Sequence, residues 1–128
     1  YLAKKYGVIP LVRQELGSAI TSLEKLEDVI NNGTSAMIAP EGTRSLDGKL
    51  GNFKKGPFHV AKNTGVTIIP VCLKGAYQAK NKKDWRIKPG ILTTVFGKAI
   101  TPIEYENMSI EALSGMVKSD IEEMIKDT

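Results

Sequence analysis

The chain has 128 residues, enough for one ordinary domain, with 41% apolar and 25% charged residues. That balance belongs to a folded, water-facing protein and excludes an intrinsically disordered chain. The formal net charge of +4 is unevenly placed: residues 41–88 carry a net +8 and residues 99–128 a net −5. The middle of the chain therefore attracts anions, among which phosphorylated metabolites, acidic lipid surfaces and nucleic acid all qualify at this level. No apolar run reaches the ~18 residues that span a bilayer. The start, Tyr1-Leu2-Ala3-Lys4-Lys5-Tyr6, has no apolar core of a signal peptide.

Val8, Ile9, Leu11 and Val12 form a short apolar run that reads as a buried strand, with Pro10 as an irregularity. Ile20, Leu23, Leu26, Val29 and Ile30 recur at three- and four-residue steps and predict an amphipathic helix. Thr21 with Glu24 offers a capping box and Ser18 an equally good N-cap, while Gly33 supplies a left-handed C-cap. Residues 36–39 read as a second strand ended by Pro40. A short helix is expected over residues 57–63, with Pro57 in its first turn and Gly65 at its exit. Residues 66–73 are the strongest strand candidate and hold the lone Cys72, which reads as a small core residue. After a basic loop over residues 80–88, residues 91–96 predict another strand. Ser109 then caps a last helix with Ile110, Leu113, Val117, Ile121 and Met124 or Ile125 on its buried face. Alternating strands and helices predict an α/β domain with a mostly parallel sheet and flanking helices.

In open α/β sheets ligands sit beyond the carboxyl ends of strands, which directs attention to Pro40-Glu41-Gly42-Thr43-Arg44-Ser45. Gly42 permits close backbone approach, Thr43 and Ser45 offer hydroxyls, and Arg44 carries a fork suited to phosphate. Lys49, Lys54 and Lys55 follow, so the stretch makes an anion cradle. Glu41 repels a phosphate dianion, and fits if it orients a guanidinium or accepts a hydrogen bond from a substrate hydroxyl. The residues alone leave two readings open: a site for a phosphate with a nearby hydroxyl, or a solvated turn in which Glu41 and Arg44 pair.

This hexapeptide resembles the third sequence block of the glycerolipid acyltransferases, the family of 1-acyl-glycerol-3-phosphate acyltransferase. Gly7-Val8-Ile9-Pro10-Leu11-Val12-Arg13 is similar to the second block and Val66-Thr67-Ile68-Ile69-Pro70-Val71 to the fourth, with Phe53-Lys54-Lys55-Gly56 between them. The blocks occur in order over residues 7–71. Ala39 stands where the family usually has Phe, and Pro10 and Leu11 are unusual in the second block. The resemblance implies a glycerol-phosphate acyltransferase-like fold. It also implies transfer of a fatty acyl group from acyl-CoA or acyl-carrier protein to the hydroxyl of 1-acyl-glycerol-3-phosphate, with no further cofactor and no metal.

Residue by residue, the resemblance implies that Arg13, Glu41, Gly42, Thr43 and Arg44 hold the acceptor, with Arg13 and Arg44 on its phosphate. Lys54 adds charge there or serves the acyl donor. Pro70 shapes a strand end near the site. The family's catalytic His and Asp belong to a first block ahead of the second, and only six residues precede Gly7. The expectation is therefore that residues 1–128 are the carboxyl-terminal part of a single acyltransferase domain and contain no catalytic residue. The single histidine, His59, has Thr64 rather than Asp at the fifth position after it and reads as a helix residue beside Phe58 and Val60. The implied partners are a lysophosphatidate-like acceptor, the acyl donor and an anionic membrane surface on the cytoplasmic face. Trp85 in the basic loop reads as half-buried or as an interfacial anchor. A non-catalytic lipid-phosphate or membrane-surface module is the alternative. Specific nucleic-acid binding has no motif to support it.

Overall fold

Where the expected helices end is set by two glycines in the left-handed region. The computed structural model describes residues 16–42, 49–75, 86 and 89–127, and its first helix, α1 (Leu16–Asn31), stops at Gly33 with φ +89°. There Gly33 N–H donates to Ile30 O and Thr34 N–H to Val29 O, which pairs two carbonyls the helix end would otherwise leave open. Helix α2 (Gly56–Thr64) carries Pro57 in its first turn and ends on Gly65, φ +67°, whose N–H donates to Ala61 O at 2.9 Å. Both exits match the sequence expectation. The entry of α1 does not: it starts at Leu16, so Ser18 and Thr21 lie inside the helix and neither is its N-cap. The expected strand at residues 8–12 lies outside the described residues, as do Trp85 and most of the basic loop.

Strands β1 (Val71–Lys74) and β2 (Thr93–Phe96) pair antiparallel, Cys72 opposite Val95 and Val71 opposite Phe96. The ladder is extended by Gly97 N–H to Pro70 O and by reciprocal bonds between Ile68 and Ile100. The mostly parallel sheet expected from the alternation of elements is thus not what the described residues form. They make a two-stranded antiparallel sheet. Residues 36–39 are not a strand. A strand exists through its neighbour's hydrogen bonds, and an open, mainly apolar cavity of about 930 Å³ separates this segment from residues 66–71. Met37 is consequently 78% exposed.

One face of the sheet is covered. Side chains alternate along a strand, so Cys72 and Val95 point to the same side, where they join the core with helix α4 (Ile110–Lys126). Ser109 caps α4 as expected, its Oγ accepting from Ala112 N–H at 3.1 Å. Leu113, Val117 and Ile121 are buried and Met124 is partly buried, whereas Ile125 is 42% exposed, so Met124 closes the stripe. Phe58, Ile100 and Tyr105 complete this core. The opposite sheet face, with Leu73 and Phe96, lines the cavity, and Phe96 is 70% exposed.

Helix α3 (Pro102–Tyr105) was not expected, although its signal is present as Thr101-Pro102-Ile103-Glu104. The Glu104 carboxylate accepts from Thr101 N–H at 2.7 Å and from Thr101 Oγ1 at 3.1 Å, with Pro102 in the first turn. This turn buries Tyr105 to 1% exposure. Its hydroxyl reaches two carbonyls, Ala61 O at 3.0 Å and Val66 O. Helix α1 packs on α2 where Gly56 lets Leu23 approach; a Cβ there would lie 3.0 Å from Leu23 Cδ1.

Three outcomes follow from this packing. Gly75 has φ +86°, and a Cβ on it would stand 2.3 Å from the backbone oxygen of Ile91. Gly75→Ala should therefore destabilise by roughly 2–3 kcal/mol or more, whereas Gly56→Ala, which meets only a rotatable leucine tip, should change stability by less than about 1 kcal/mol in urea titrations. Tyr105→Phe takes the donor from Val66 O, while Ala61 O keeps Gly65 N–H, and should cost roughly 1–2 kcal/mol. Desolvation also pushes the Tyr105 phenol upward. Its neutral form therefore contributes stability that is complete below the usual tyrosine range and lost as pH rises through the folded-state pKa, a loss absent from Tyr105→Phe. Glu104 is held below the ordinary carboxylate range by the Thr101 backbone bond first and the Thr101 hydroxyl second. Its contribution is present above the unfolded-state range and lost as pH falls through the depressed value. A carboxyl NMR titration of Thr101→Val should move the Glu104 midpoint part of the way back up.

Candidate functional site

Of the six residues expected to bind, the structure describes Glu41, Gly42 and Lys54 and brings them together. Arg13, Thr43 and Arg44 lie outside the described residues. The chain turns at Pro40, with Gly42 N–H donating to Ala39 O at 3.1 Å and Gly42 at φ +69°. Glycine is the residue that takes this conformation without a Cβ penalty. The turn is then tied to a segment ten residues on. Lys54 N–H donates to Pro40 O at 2.7 Å, and Gly51 N–H donates to Glu41 Oε2 at 2.8 Å.

These two ties lay the Lys54 side chain across Gly42. A Cβ on Gly42 would sit 3.6 Å from Lys54 Cγ and 3.8 Å from its Cε. The result is an exposed ammonium beside a glycine turn, with a carboxylate engaged at the back of it. Gly51 matters in the same way, since a Cβ there would stand 3.3 Å from Glu41 Oε2. Residue typing missed Gly51 because it contributes a backbone atom, which no side-chain pattern reveals.

The lysine cluster read from the sequence divides in space. Lys55 Nζ pairs with Glu111 Oε1 at 2.8 Å, both side chains well exposed, and so belongs to the contact between α2 and α4 rather than to the Pro40 turn. Lys55 accordingly draws the Glu111 carboxyl below its ordinary range, first through that hydrogen bond. Lys62 Nζ donates to Met108 O. His59 is exposed on α2, while its neighbours Phe58 and Val60 are buried. Pro70 is buried directly before β1, and its carbonyl accepts from Gly97 N–H at 2.8 Å, which fits a strand-shaping part. Cys72 is a buried free thiol, as expected.

Pro40 also lines the apolar cavity, together with Ile38, Phe58, Ile69, Leu73 and Phe96. A turn that carries Glu41 and lies under the Lys54 stem thus stands at the edge of an apolar space. Among the described residues no group of acidic, histidine or cysteine side chains is placed to hold a metal ion. Among them, too, no helix is long and apolar enough to cross a membrane.

Comparison with known proteins follows the same residues. The family model described as Acyltransferase matches residues 1–74. A chloroplastic 1-acyl-sn-glycerol-3-phosphate acyltransferase of Arabidopsis thaliana is 46% identical over 69 residues, covering 54% of this chain and 19% of that protein. A 1-acyl-sn-glycerol-3-phosphate acyltransferase of Chlamydomonas reinhardtii is 33% identical over 116 residues, covering 90% of this chain and 35% of that protein. Among solved structures, the 1-acyl-sn-glycerophosphate acyltransferase PlsC of Thermotoga maritima superposes with a TM-score of 0.78 at 30% identity. That match covers 85% of this chain and 44% of that one. The chain therefore spans less than half the length of each of these relatives. The matched family model covers more than half of the chain and contains the Pro40 turn, Lys54 and the whole of β1, and this chain belongs to the acyltransferase family, with a PlsC-like fold.

Proposed function

We propose that this chain is the acceptor-binding part of an enzyme that transfers a fatty acyl group to the hydroxyl of 1-acyl-glycerol-3-phosphate. The observation that carries the reading is the joining of Glu41, Gly42 and Lys54 at the rim of an apolar cavity. A lysophospholipid has the same division: an anionic head, an adjacent hydroxyl and an apolar tail. Lys54 supplies a cation to the head, and Gly42, lacking a Cβ, lets the head approach the backbone. Arg13 and Arg44 join Lys54 on the phosphate, and Thr43 adds a hydroxyl. The apolar cavity gives the tail a place out of water.

In the reaction, the acceptor hydroxyl oxygen attacks the thioester carbonyl of acyl-CoA or acyl-carrier protein. The new C–O bond forms, the C–S bond breaks, and the hydroxyl proton passes by way of a base to the departing thiolate. A His held by an Asp, from the family's first block, is that base in this reading. The 128-residue chain supplies binding and orientation. Exposed apolar residues around the cavity mouth, Met37 and Phe96 foremost, suit contact with an anionic membrane surface from which such an acceptor is drawn.

Titration calorimetry with glycerol 3-phosphate tests the reading. The chain should bind it weakly, and Lys54→Glu should reduce affinity roughly ten- to a hundredfold, the worth of a lost charge-assisted contact. The purified 128-residue chain should show no acyl transfer. Equal affinity in Lys54→Glu, or robust transfer by the chain alone, would overturn it.

A further inference from the structure

Glu41 is the residue whose chemistry the acceptor-binding reading leaves unexplained. It is an anion in a site for an anion, and its carboxylate oxygen Oε2 is spent on Gly51 N–H, 2.8 Å away. The backbone bond from Lys54 N–H to Pro40 O already joins the two segments, but one hydrogen bond leaves a hinge about its own axis. The Glu41 to Gly51 bond, three residues from the first, removes that rotation and fixes how residues 51–54 run beside the Pro40 turn. The direction in which Lys54 leaves the backbone is set by that alignment, and its stem lies across Gly42 as a consequence.

We propose that Glu41 is a positioning residue for acceptor binding. Its carboxylate acts as the hydrogen-bond acceptor that clasps Gly51 N–H and aligns Lys54 with the Gly42 turn, and it neither touches the acceptor nor orients a guanidinium by charge. The role rests on the acceptor-binding reading above. What the clasp requires is reach and an acceptor oxygen. Negative charge is incidental to it, because a peptide N–H bonds an amide oxygen as well as a carboxylate.

Reach and charge separate in two substitutions. Glu41→Gln keeps the length and an acceptor oxygen and loses the charge. Glu41→Asp keeps the charge and is one methylene too short to hold the 2.8 Å contact. Two readouts on the 128-residue chain follow both: the amide exchange rate of Gly51 by NMR, and affinity for glycerol 3-phosphate by calorimetry.

Wild type and Glu41→Gln should share a slow Gly51 exchange rate, and Glu41→Asp and Glu41→Ala should exchange roughly two- to tenfold faster, the ratio one exposed hydrogen bond supports. Affinity should follow the same division, with Glu41→Gln at or above wild type because a negative charge has left a phosphate site. Gly51 exchange unchanged in Glu41→Ala would overturn the clasp. Affinity kept by Glu41→Asp and lost by Glu41→Gln would overturn the positioning role in favour of charge. Absence of glycerol 3-phosphate binding in every variant, with the exchange pattern intact, would overturn the acceptor-binding reading while leaving the clasp standing.

Discussion

The hydroxyl of Tyr105 is the point on which the arrangement of the described elements turns. It lies on a one-turn helix, is almost wholly buried, and reaches carbonyls at the end of α2 and just before the β1 region. Those two carbonyls flank the Gly65 exit of α2, so one phenol sets the angle between the helix and the strand that follows. Burying a tyrosine hydroxyl without a partner is costly, and without it Val66 O would lose this donor, whereas Ala61 O keeps Gly65 N–H. The ring meanwhile packs with Leu113, Val117 and Ile121 of α4. With α2 placed this way, Gly56 and the residues before it, Gly51 to Lys55, come beside the Pro40 turn. The candidate site is thus supported from the core outward.

Charge is distributed by the same packing. The basic middle of the chain and the acidic last helix are far apart in sequence, and folding brings parts of them together. Lys55 pairs with Glu111, and Lys74 Nζ reaches Asp127 O at the end of α4. Exposed contacts of this kind add little stability. Their effect is on where positive potential remains, since each lysine engaged by α4 is withdrawn from the basic block. Lys54, one residue from Lys55, points instead across Gly42. Adjacent lysines on an irregular segment just before a helix leave the backbone in different directions, and that divergence turns a run of basic residues into a directed cation.

Much of the local structure was legible in the residues. Gly33 and Gly65 marked helix exits because glycine takes positive φ cheaply, and Ser109 marked an entry because its hydroxyl reaches the N–H three residues on. The stripe from Leu113 to Ile121 was visible in its spacing. The α3 turn carried its own capping signal and was passed over because four residues offer no periodicity. At the site, the hexapeptide drew attention to Glu41 and Gly42 and the basic run to Lys54, but the bond that Glu41 accepts within the fold was not visible there. Its partner is a backbone amide ten residues away, and every residue but proline carries one, so nothing in the side-chain pattern singles out Gly51.

The sequence by itself determined the helix exits at Gly33 and Gly65, the Ser109 entry and core stripe of α4, and the family, because these rest on short-range spacing and on motifs that keep their order along the chain. The direction of strand pairing was decided only in three dimensions. Residues 66–73 and 91–96 read equally well as parallel or antiparallel strands, since alternation of side chains is the same in both. Their register was set by which partner edge the Ile68 to Ile100 bridge and the α4 core brought alongside. Residues 36–39 read as a strand from their apolar run and have no paired edge among the described residues. Which lysine lies by the turn and which pairs with α4, and the bond from Gly51 N–H to Glu41, likewise depended on contacts between residues ten to fifty-six positions apart.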